Sequence, residues 1–400
     1  MISNSPVSND SKPAVQMIES VPKVSMREVR KHLSPMKHRT KSCGDWSYEQ
    51  NQLMLDLVDG RKSLRDVQLQ SEFLDWIETP DYNKFRNLET NEIVYAQVAK
   101  RGNVAYAARK AKNRDSMKDA LDGKVFDEPL KGSHDLRRTR LLLITTTFDN
   151  SLFSMEEAWA ALRSKPIEGS ETVYNVLNKL NANISKIFGK HGTLISKEAQ
   201  SNGYPAPHII VLLDKPVIVK RHVGKNGHIS YRLFDPHILN RVGKGDLMRK
   251  LCKKDHRAAI EQNPIWPYGF IDIEGIVSED SSRSCKNAIL YPFKYMTKCL
   301  TEDGSNSIKD VPDISSVEDK GLRTMLYTHF GNKCFRTRDV SFGKAFKDRI
   351  GMLPSIKESS DHIWKRVRTV NQLEYEWIKA YDQAVSEAAK VVSLSKEAIT

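Results

Sequence analysis

The segment EAQSNGYPAPHIIVLL, residues 198–213, contains the clearest fold signal in the chain. Its centre, residues 201–205, is rich in the Ser, Asn, Gly and Pro that favour tight turns. This pattern predicts a strand over residues 193–200, a turn, and a second strand over residues 207–213 that folds back antiparallel to the first. The hairpin is therefore the starting point for the predicted sheet.

Two groups with metal-binding chemistry lie on this hairpin. Antiparallel folding is expected to bring Glu198 close to His208 on the neighbouring strand. A carboxylate and an imidazole together are a plausible half-site for Mg²⁺ or Mn²⁺. A lone histidine that starts an apolar strand is more often a hydrogen-bonded core residue, so the pair alone leaves both interpretations open.

A second segment with reactive groups is YPFKYMTK, residues 291–298. On a helix, Tyr291 and Tyr295 would align at i and i+4, and Lys294 and Lys298 would form an adjoining pair. Because a phenol has a pKa of about 10, it is a weak nucleophile unless cations or a metal-polarised phosphate assist it. The combination suggests phosphoryl transfer, while aromatic core packing with lysines reaching to water is the alternative.

The composition favours a polyanionic partner. Among 400 residues, 63 Lys+Arg against 50 Asp+Glu leave a net charge of +13, and the mean hydropathy is −0.52. Residues 215–257 hold 12 Lys+Arg and 3 Asp, a local charge of +9. Nucleic acid is the usual partner of such a surface, with an anionic membrane or mere solubility as alternatives. The basic residues predicted to contact DNA phosphates are Lys220, Arg221, Arg249, Lys250, Lys253, Lys254 and Lys298.

The cysteines and the distribution of apolar residues indicate the cellular compartment in which the protein is expected. The five cysteines are scattered and include no C-x-x-C pair, which is typical of reduced thiols and not of a disulfide framework or a zinc site. There is no run of about 18 apolar residues, and residues 1–17 lack the apolar segment of a signal peptide. We therefore expect a cytoplasmic protein with no membrane partner.

The periodicity of apolar residues predicts an α+β fold with four regions. Residues 1–44 have the composition of a disordered basic arm, residues 45–135 a helical pattern, and residues 346–400 a helical extension. Between them, residues 136–345 alternate strands and helices, which indicates an antiparallel sheet flanked by helices. The strands are expected at 141–148, 193–200, 207–213, 217–222, 228–234 and 268–277, and the helices at 155–164, 171–188 and 241–257.

Three motifs in order resemble those of a known family. LLLITTTF at residues 141–148, the segment at 198–213 and YPFKY at 291–295 are similar to the three motifs of rolling-circle replication initiators, plasmid or virus type, in the HUH endonuclease superfamily. The second motif there combines a strand glutamate, a turn and a histidine that opens an apolar strand. The third is Y-x-x-K-Y. The resemblance covers residues 139 to about 345.

The resemblance implies a fold and a mechanism. The fold would be the RRM-like HUH endonuclease core, and the activity a metal-dependent DNA nicking and strand-transfer endonuclease. Glu198 and His208 would hold Mg²⁺ or Mn²⁺, and Tyr291 would attack single-stranded origin DNA to leave a 5′-phosphotyrosine link. Lys294 and Lys298 would balance the transition-state charge, and Tyr295 is either a second nucleophile or a packing residue.

One position departs from the family pattern. The second motif there is histidine, hydrophobe, histidine, which puts both imidazoles on one side of a strand, whereas this chain has Ile210 at the second histidine position. Either another group completes the metal site, or metal binding and catalysis are weakened. Pro292 after Tyr291 predicts a helix that begins at about Tyr291, because proline is tolerated in the first turn.

Two alternatives stay open. One is a non-catalytic DNA-binding or regulatory protein with a degenerate HUH fold, and the other is a related transposase or relaxase with the same chemistry. The sequence contains no G-x-x-x-x-G-K-[ST] phosphate loop, so unwinding would come from a host helicase and synthesis from a host polymerase.

Overall fold

The computed structural model describes residues 52–53, 55–57, 61–167, 171, 173–278, 285–294, 297, 313–352 and 364–397. The predicted arm at residues 1–44 lies outside them. The chain divides into two compact units, which consist of residues 1–49, 79–98 and 357–400, and of residues 50–78 and 99–356.

The described elements are numbered in chain order. The strands are β1 Asp81–Asn87, β2 Ile93–Gln97, β3 Asp127–Pro129, β4 Leu136–Thr146, β5 His191–Ala199, β6 Pro205–Val223, β7 Ile229–Leu233, β8 Ile271–Gly275, β9 Val340–Phe342 and β10 Trp364–Asn371. The helices are α1 Val67–Glu78, α2 Val104–Ala120, α3 Met155–Ala161, α4 Val176–Phe188, α5 Pro236–Arg241, α6 Asp246–Lys254, α7 His256–Glu261, α8 Cys285–Leu290, α9 Lys320–Cys334, α10 Lys344–Ile350 and α11 Gln372–Glu397. Two 3₁₀ turns are Tyr291–Phe293 and Ile314–Ser316.

The larger unit is α+β, with a seven-stranded antiparallel sheet flanked by helices. The strand order is β3-β4-β8-β7-β6-β5-β9, and β4 also pairs with β6. The strands predicted at 141–148, 193–200, 207–213, 217–222, 228–234 and 268–277 are confirmed, with the two over 207–222 merged into the single long β6. The expected fold class is thus confirmed at this level.

The β5–β6 hairpin folds back as predicted. The Gln200 N–H donates to the Tyr204 carbonyl at 2.7 Å, which extends the ladder beyond the last residue of β5. Gly203 in the turn has φ of +93°, a conformation that costs glycine little because it has no Cβ. Turn chemistry therefore explains why the chain reverses at this point.

One face of the sheet carries a large hydrophobic cluster. Leu143, Ile210 and Leu194 lie opposite one another on β4, β6 and β5, so their side chains share this face. Helices α2, α8 and α10 and the turn after α8 contribute further members. The buried members are Met117, Leu121, Phe126, Leu141, Leu194, Ile210, Leu212, Ile276, Ile289, Phe293, Val340, Phe346 and Ile350.

The smaller unit was not predicted. Its sheet has the order β10-β1-β2, and the Tyr82 and Tyr375 rings stack at 4.0 Å between β1 and α11. The helical prediction is therefore wrong for residues 81–97 and 364–371, which form strands. The reason is that β1 pairs with β10, which is distant in the sequence, and this pairing overrides the local apolar spacing.

Packing continues across the predicted boundary at residue 135. Met117 and Leu121, at the end of α2, belong to the same buried cluster as Leu141 of β4, so this helix is part of the larger unit. Helix α2 also carries a buried charge, because the Lys110 ammonium lies 2.9 Å from the Asp339 carboxylate. Residues 99–135 thus help to build the sheet's core.

In the part of the chain that the structure describes, no helix combines the length and apolar character needed to cross a bilayer.

Candidate functional site

Three polar side chains lie in one row across the sheet. Ser196 of β5 is opposite His208 of β6, and His208 is opposite Thr145 of β4. Residues directly opposite each other share a face, and so do residues two apart on one strand, so Glu198 points to the same side as Ser196. The strands therefore assemble a compact polar site from three segments.

The geometry of this site is set by side-chain contacts. Glu198 Oε2 lies 3.7 Å from His208 Nε2, and Thr145 Oγ1 lies 3.2 Å from His208 Nδ1. Ser196 Oγ is 3.3 Å from both Glu198 Oε1 and the Pro292 carbonyl oxygen, two acceptors for its one hydroxyl proton. The Thr145 contact orients the imidazole so that Nε2 faces the carboxyl group.

Burial controls the protonation of the pair. Loss of water raises the pKa of Glu198 to about 8, against smaller lowering effects of the Ser196 hydrogen bond and the Lys294 charge. Burial lowers the pKa of His208 to about 4. In the metal-free protein at pH 7, the contact therefore joins a protonated carboxyl group to a neutral imidazole.

Tyr291 lies against this pair. Its ring centroid is 5.4 Å from that of His208 with the planes at 80°, an edge-to-face contact. Lys294 Nζ is 5.7 Å from the centre of the Tyr291 ring, and 39% of Tyr291 is exposed. The phenol is thus partly accessible beside the carboxyl–imidazole pair, with an ammonium group nearby.

The backbone around Tyr291 differs from the predicted helix start. Helix α8 ends at Leu290, and Tyr291–Phe293 form a 3₁₀ turn in which the Lys294 N–H donates to the Tyr291 carbonyl at 2.9 Å. Pro292 has no N–H to continue an α-helical ladder, which accounts for the tighter turn. Phe293 is buried in the sheet's cluster and anchors the segment. Tyr295 and Lys298 lie outside the described residues.

Ile210 belongs to the core. It lies two residues after His208 and faces the same side of β6, as the family pattern requires of a second histidine. Its side chain is fully buried in the cluster that includes Ile289 and Phe293. Position 210 therefore offers no metal-binding atom, and its side chain fills the space by apolar packing.

The donor set permits only a partial metal site. Glu198 and His208 supply an oxygen and a nitrogen, and the described residues contain no group of three or more His, Cys, Asp or Glu side chains placed to hold a metal. Two donors fit a cation that takes its remaining ligands from water and phosphate oxygens, as Mg²⁺ commonly does, and they do not fit a closed protein cage. Because Glu198 must lose its proton, metal binding there would be pH-dependent.

The predicted DNA-contacting residues fall in two places. Arg249, Lys250, Lys253 and Lys254 are exposed on α6. Lys220 and Arg221 are exposed near the far end of β6, roughly 40 Å along that strand from His208. The strand thus does not bring this second group next to Tyr291.

Two contributors to the site were missed by sequence reasoning, Thr145 and Ser196. The prediction put Glu198 beside His208, whereas Glu198 is opposite Ala206 and reaches His208 diagonally. A turn's length sets the register of a hairpin, and counting outward from Asn202 at the centre of this turn identifies Ser196 as the direct partner of His208. Thr145 lies within the apolar motif, but no local pattern indicates that β4 pairs with β6.

Comparison of the chain with family models, with curated proteins and with solved structures gave no match. The resemblance therefore depends on the three sequence motifs.

Proposed function

We propose that this chain is a rolling-circle replication initiator that nicks and rejoins single-stranded origin DNA through a tyrosine. One observation carries the proposal. Segments far apart in the sequence meet so that Glu198 and His208 are 3.7 Å apart and the Tyr291 ring packs edge-on against His208. A phenol beside a metal-binding pair is the combination that phosphoryl transfer to tyrosine needs.

The proposed reaction exchanges one phosphoester for another. The Tyr291 oxygen forms a bond to the scissile phosphorus while the bond from phosphorus to the 3′ oxygen breaks. The phenol proton is lost, and the departing oxygen takes up a proton to become a 3′-hydroxyl that can prime synthesis. Because the phosphotyrosine keeps the energy of the diester, a later hydroxyl can reverse the step and seal the strand.

The neighbouring side chains would assist this exchange. The Lys294 ammonium is placed beside the Tyr291 ring, where it would offset the negative charge that develops on the phosphate. Thr145 holds the imidazole of His208 in a fixed orientation. Glu198 and His208 would hold Mg²⁺ or Mn²⁺, which when bound polarises the phosphate.

The finer fold is part of the same proposal. In the half of the sheet that carries the site, β4 and β6 are central and β8 and β5 flank them. Tyr291 follows a helix whose Ile289 packs into the cluster on the same face. This arrangement supports an RRM-like HUH core, with the smaller unit as an addition to it.

The partners follow from charge. The +9 segment at residues 215–257 presents exposed lysines and arginines that would track DNA phosphates without reading sequence. Host helicase and polymerase would supply the unwinding and synthesis. A transposase or relaxase would use the same residues, and differs in its DNA target.

A second candidate function has its own observation. Burial of Ile210 in the core leaves the metal pair one ligand short, which favours a non-catalytic DNA-binding or regulatory protein. The two candidates agree on DNA affinity and differ on covalent chemistry. A trapped protein–DNA adduct therefore separates them.

The experiment uses a random-sequence single-stranded DNA library labelled at its 3′ ends, incubated with Mn²⁺. Tyrosine attack leaves the labelled fragment on the protein, so a labelled band should migrate with the denatured chain. Tyr291→Phe should lose this band, and Tyr174→Phe, a similarly exposed tyrosine away from the site, should keep it. Wild-type protein that binds the library without forming the band would refute the nicking proposal.

A further inference from the structure

A small cavity opens just beyond the carboxyl–imidazole pair. It has a volume of about 230 Å³, and its lining includes Thr147, Gln200, Asn202, Tyr204 and Phe270. This volume is below the roughly 300–1,000 Å³ of pockets for drug-sized ligands. The size suits one flat ring system.

The strand register places this cavity next to the reacting groups. Thr147 comes directly after β4, and its N–H continues the ladder by donating to the Phe270 carbonyl at 2.9 Å. Gln200 comes directly after β5, and its N–H likewise donates to the Tyr204 carbonyl at 2.7 Å. Thr147 therefore lies on the same face as Thr145, and Gln200 on the same face as Glu198. Two residues along a strand span about 7 Å. The cavity therefore lies within reach of a nucleotide that adjoins the phosphate held at Glu198.

A flat aromatic surface borders the cavity. Phe270 is 51% exposed, and its backbone carbonyl is fixed by the Thr147 N–H at 2.9 Å. The exposed His256 ring lies 5.1 Å from the Phe270 ring, tilted by 34°. Phe270 lines the cavity and the His256 ring packs against it, so the Phe270 ring is the aromatic surface that a planar ligand in the cavity would meet.

The remaining lining matches the edge of a nucleobase. The side-chain amide of Gln200 offers both a donor and an acceptor, as base edges do. Asn202 offers its amide N–H donors, because its Oδ1 accepts from the Tyr204 N–H at 3.2 Å. The Asp149 carboxylate also lines the cavity, and a hydrogen bond from Ser151 lowers its pKa, so it stays an acceptor. The positive charge of Arg257 lies close enough to contribute to this lowering.

We propose that this cavity binds one unpaired base of single-stranded DNA, stacked on Phe270, in the nucleotide next to the scissile phosphate. The inference rests on the proposed nicking function for the position of that phosphate. It names the side chain that would select the single-stranded form of that substrate, because a base in a duplex is stacked and paired and cannot enter. Stacking on an aromatic ring tolerates any base, so the site would favour single strands over duplexes without strong sequence choice.

The test uses an oligothymidylate that contains one 2-aminopurine, whose fluorescence is quenched by stacking, in metal-free buffer. Wild-type protein should quench the probe, and so should Phe270→Trp. Phe270→Ala should lose the quenching and bind the oligonucleotide about 10-fold more weakly. Tyr174→Ala, which removes a similarly exposed aromatic elsewhere, should behave as wild type.

Duplex DNA of the same length is the second control, and Phe270→Ala should bind it as tightly as wild type does. The base-site proposal would be refuted if Phe270→Ala quenched the probe fully. It would also be refuted if Phe270→Ala lost as much affinity for the duplex as for the single-stranded oligonucleotide. Tyr291→Phe should still quench the probe, because it removes only the nucleophile. If Phe270→Ala quenches the probe fully but wild-type protein forms the labelled adduct, the base site is refuted and the nicking proposal is not. If Phe270→Ala loses the quenching but wild-type protein forms no adduct, the nicking proposal is refuted and the base site is not.

Discussion

At the scale of single residues, Glu198 is the group whose chemistry is changed most by folding. It is 2% exposed, and burial raises its pKa from 4.5 to about 8. In the unfolded chain the carboxyl group ionises near its ordinary pKa. Between pH 4.5 and pH 8 the folded state keeps a proton that the unfolded state releases. The contribution of Glu198 to the free energy of unfolding is therefore fully present below about pH 4.5 and is lost as the pH rises to 8.

Glu198→Gln should remove this pH dependence. In metal-free buffer the variant should exceed wild type in free energy of unfolding by on the order of 3 kcal/mol at pH 8, and by little at pH 4.5. Urea unfolding at both pH values measures the difference. Glu128→Gln, at an exposed carboxyl group, is the control and should leave the profile unchanged. If the free energy of unfolding depended on pH in the same way for wild type and Glu198→Gln, Glu198 would not be a buried carboxyl group that stays protonated.

Ile210 provides a second prediction at this scale. Ile210→His would restore the family's histidine pattern, but it would place an imidazole in a fully buried apolar cluster. We expect it to cost about 2–4 kcal/mol of unfolding free energy, against about 1 kcal/mol for Ile210→Val. Denaturant unfolding measures both variants. If Ile210→His were as stable as Ile210→Val, the side chain at position 210 would not be confined to the apolar cluster and could turn toward Glu198 and His208.

At the scale of elements, helix α9 is joined to the sheet through close packing. The Ala199 N–H donates to Thr328 Oγ1 at 2.8 Å, and Asn332 Nδ2 donates to the Lys197 carbonyl at 3.0 Å. Gly331 lies against the Trp159 ring, where an added Cβ would overlap the indole. The glycine thus permits the close approach of α9 and α3.

Gly331→Ala should therefore destabilise the protein although alanine favours helices. We expect a loss of about 1–3 kcal/mol from overpacking against Trp159. Gly321→Ala in the first turn of the same helix is the matched control, since its Cβ would meet only the capping Asp319 oxygen at 3.1 Å. Thermal or urea unfolding distinguishes them. Equal stability of the two variants would contradict the close packing of α9.

The elements also show how far local sequence patterns extend. The β5–β6 hairpin and the buried strand β4 were predicted because turn residues and apolar runs determine them locally. The 3₁₀ turn at Tyr291 was not predicted, because Pro292 is compatible with the first turn of an α-helix as well as with a 3₁₀ turn. The β1–β10 pairing was not predicted either, because nothing local indicates a partner so far along the chain. Within the site, Glu198, His208 and Tyr291 followed from motifs, whereas Thr145 and Ser196 required the register.

At the scale of the whole molecule, the net charge of +13 should make DNA binding depend on salt. Each lysine that neutralises a phosphate of single-stranded DNA contributes about 0.7 to the slope of log affinity against log salt. Replacing both Lys253 and Lys254 with glutamine should therefore lower the slope by about 1.4. Fluorescence anisotropy across a salt series measures it, with the exposed pair Lys179 and Lys186 on α4 replaced likewise as a control. An unchanged slope would show that Lys253 and Lys254 of α6 do not contact DNA phosphates.

The most direct test of the central claim identifies the tyrosine that becomes linked to DNA. Protein incubated with single-stranded DNA and Mn²⁺ is digested with protease and nuclease, and the modified peptide is sequenced by mass spectrometry. Because the Tyr291 ring packs against His208, we predict a 5′-phosphotyrosine link at Tyr291. Tyr291→Phe should lower the amount of this link by more than about 10³-fold, and Tyr295→Phe should lower it less. A link found at Tyr295 instead, or no linked peptide at all, would contradict the account.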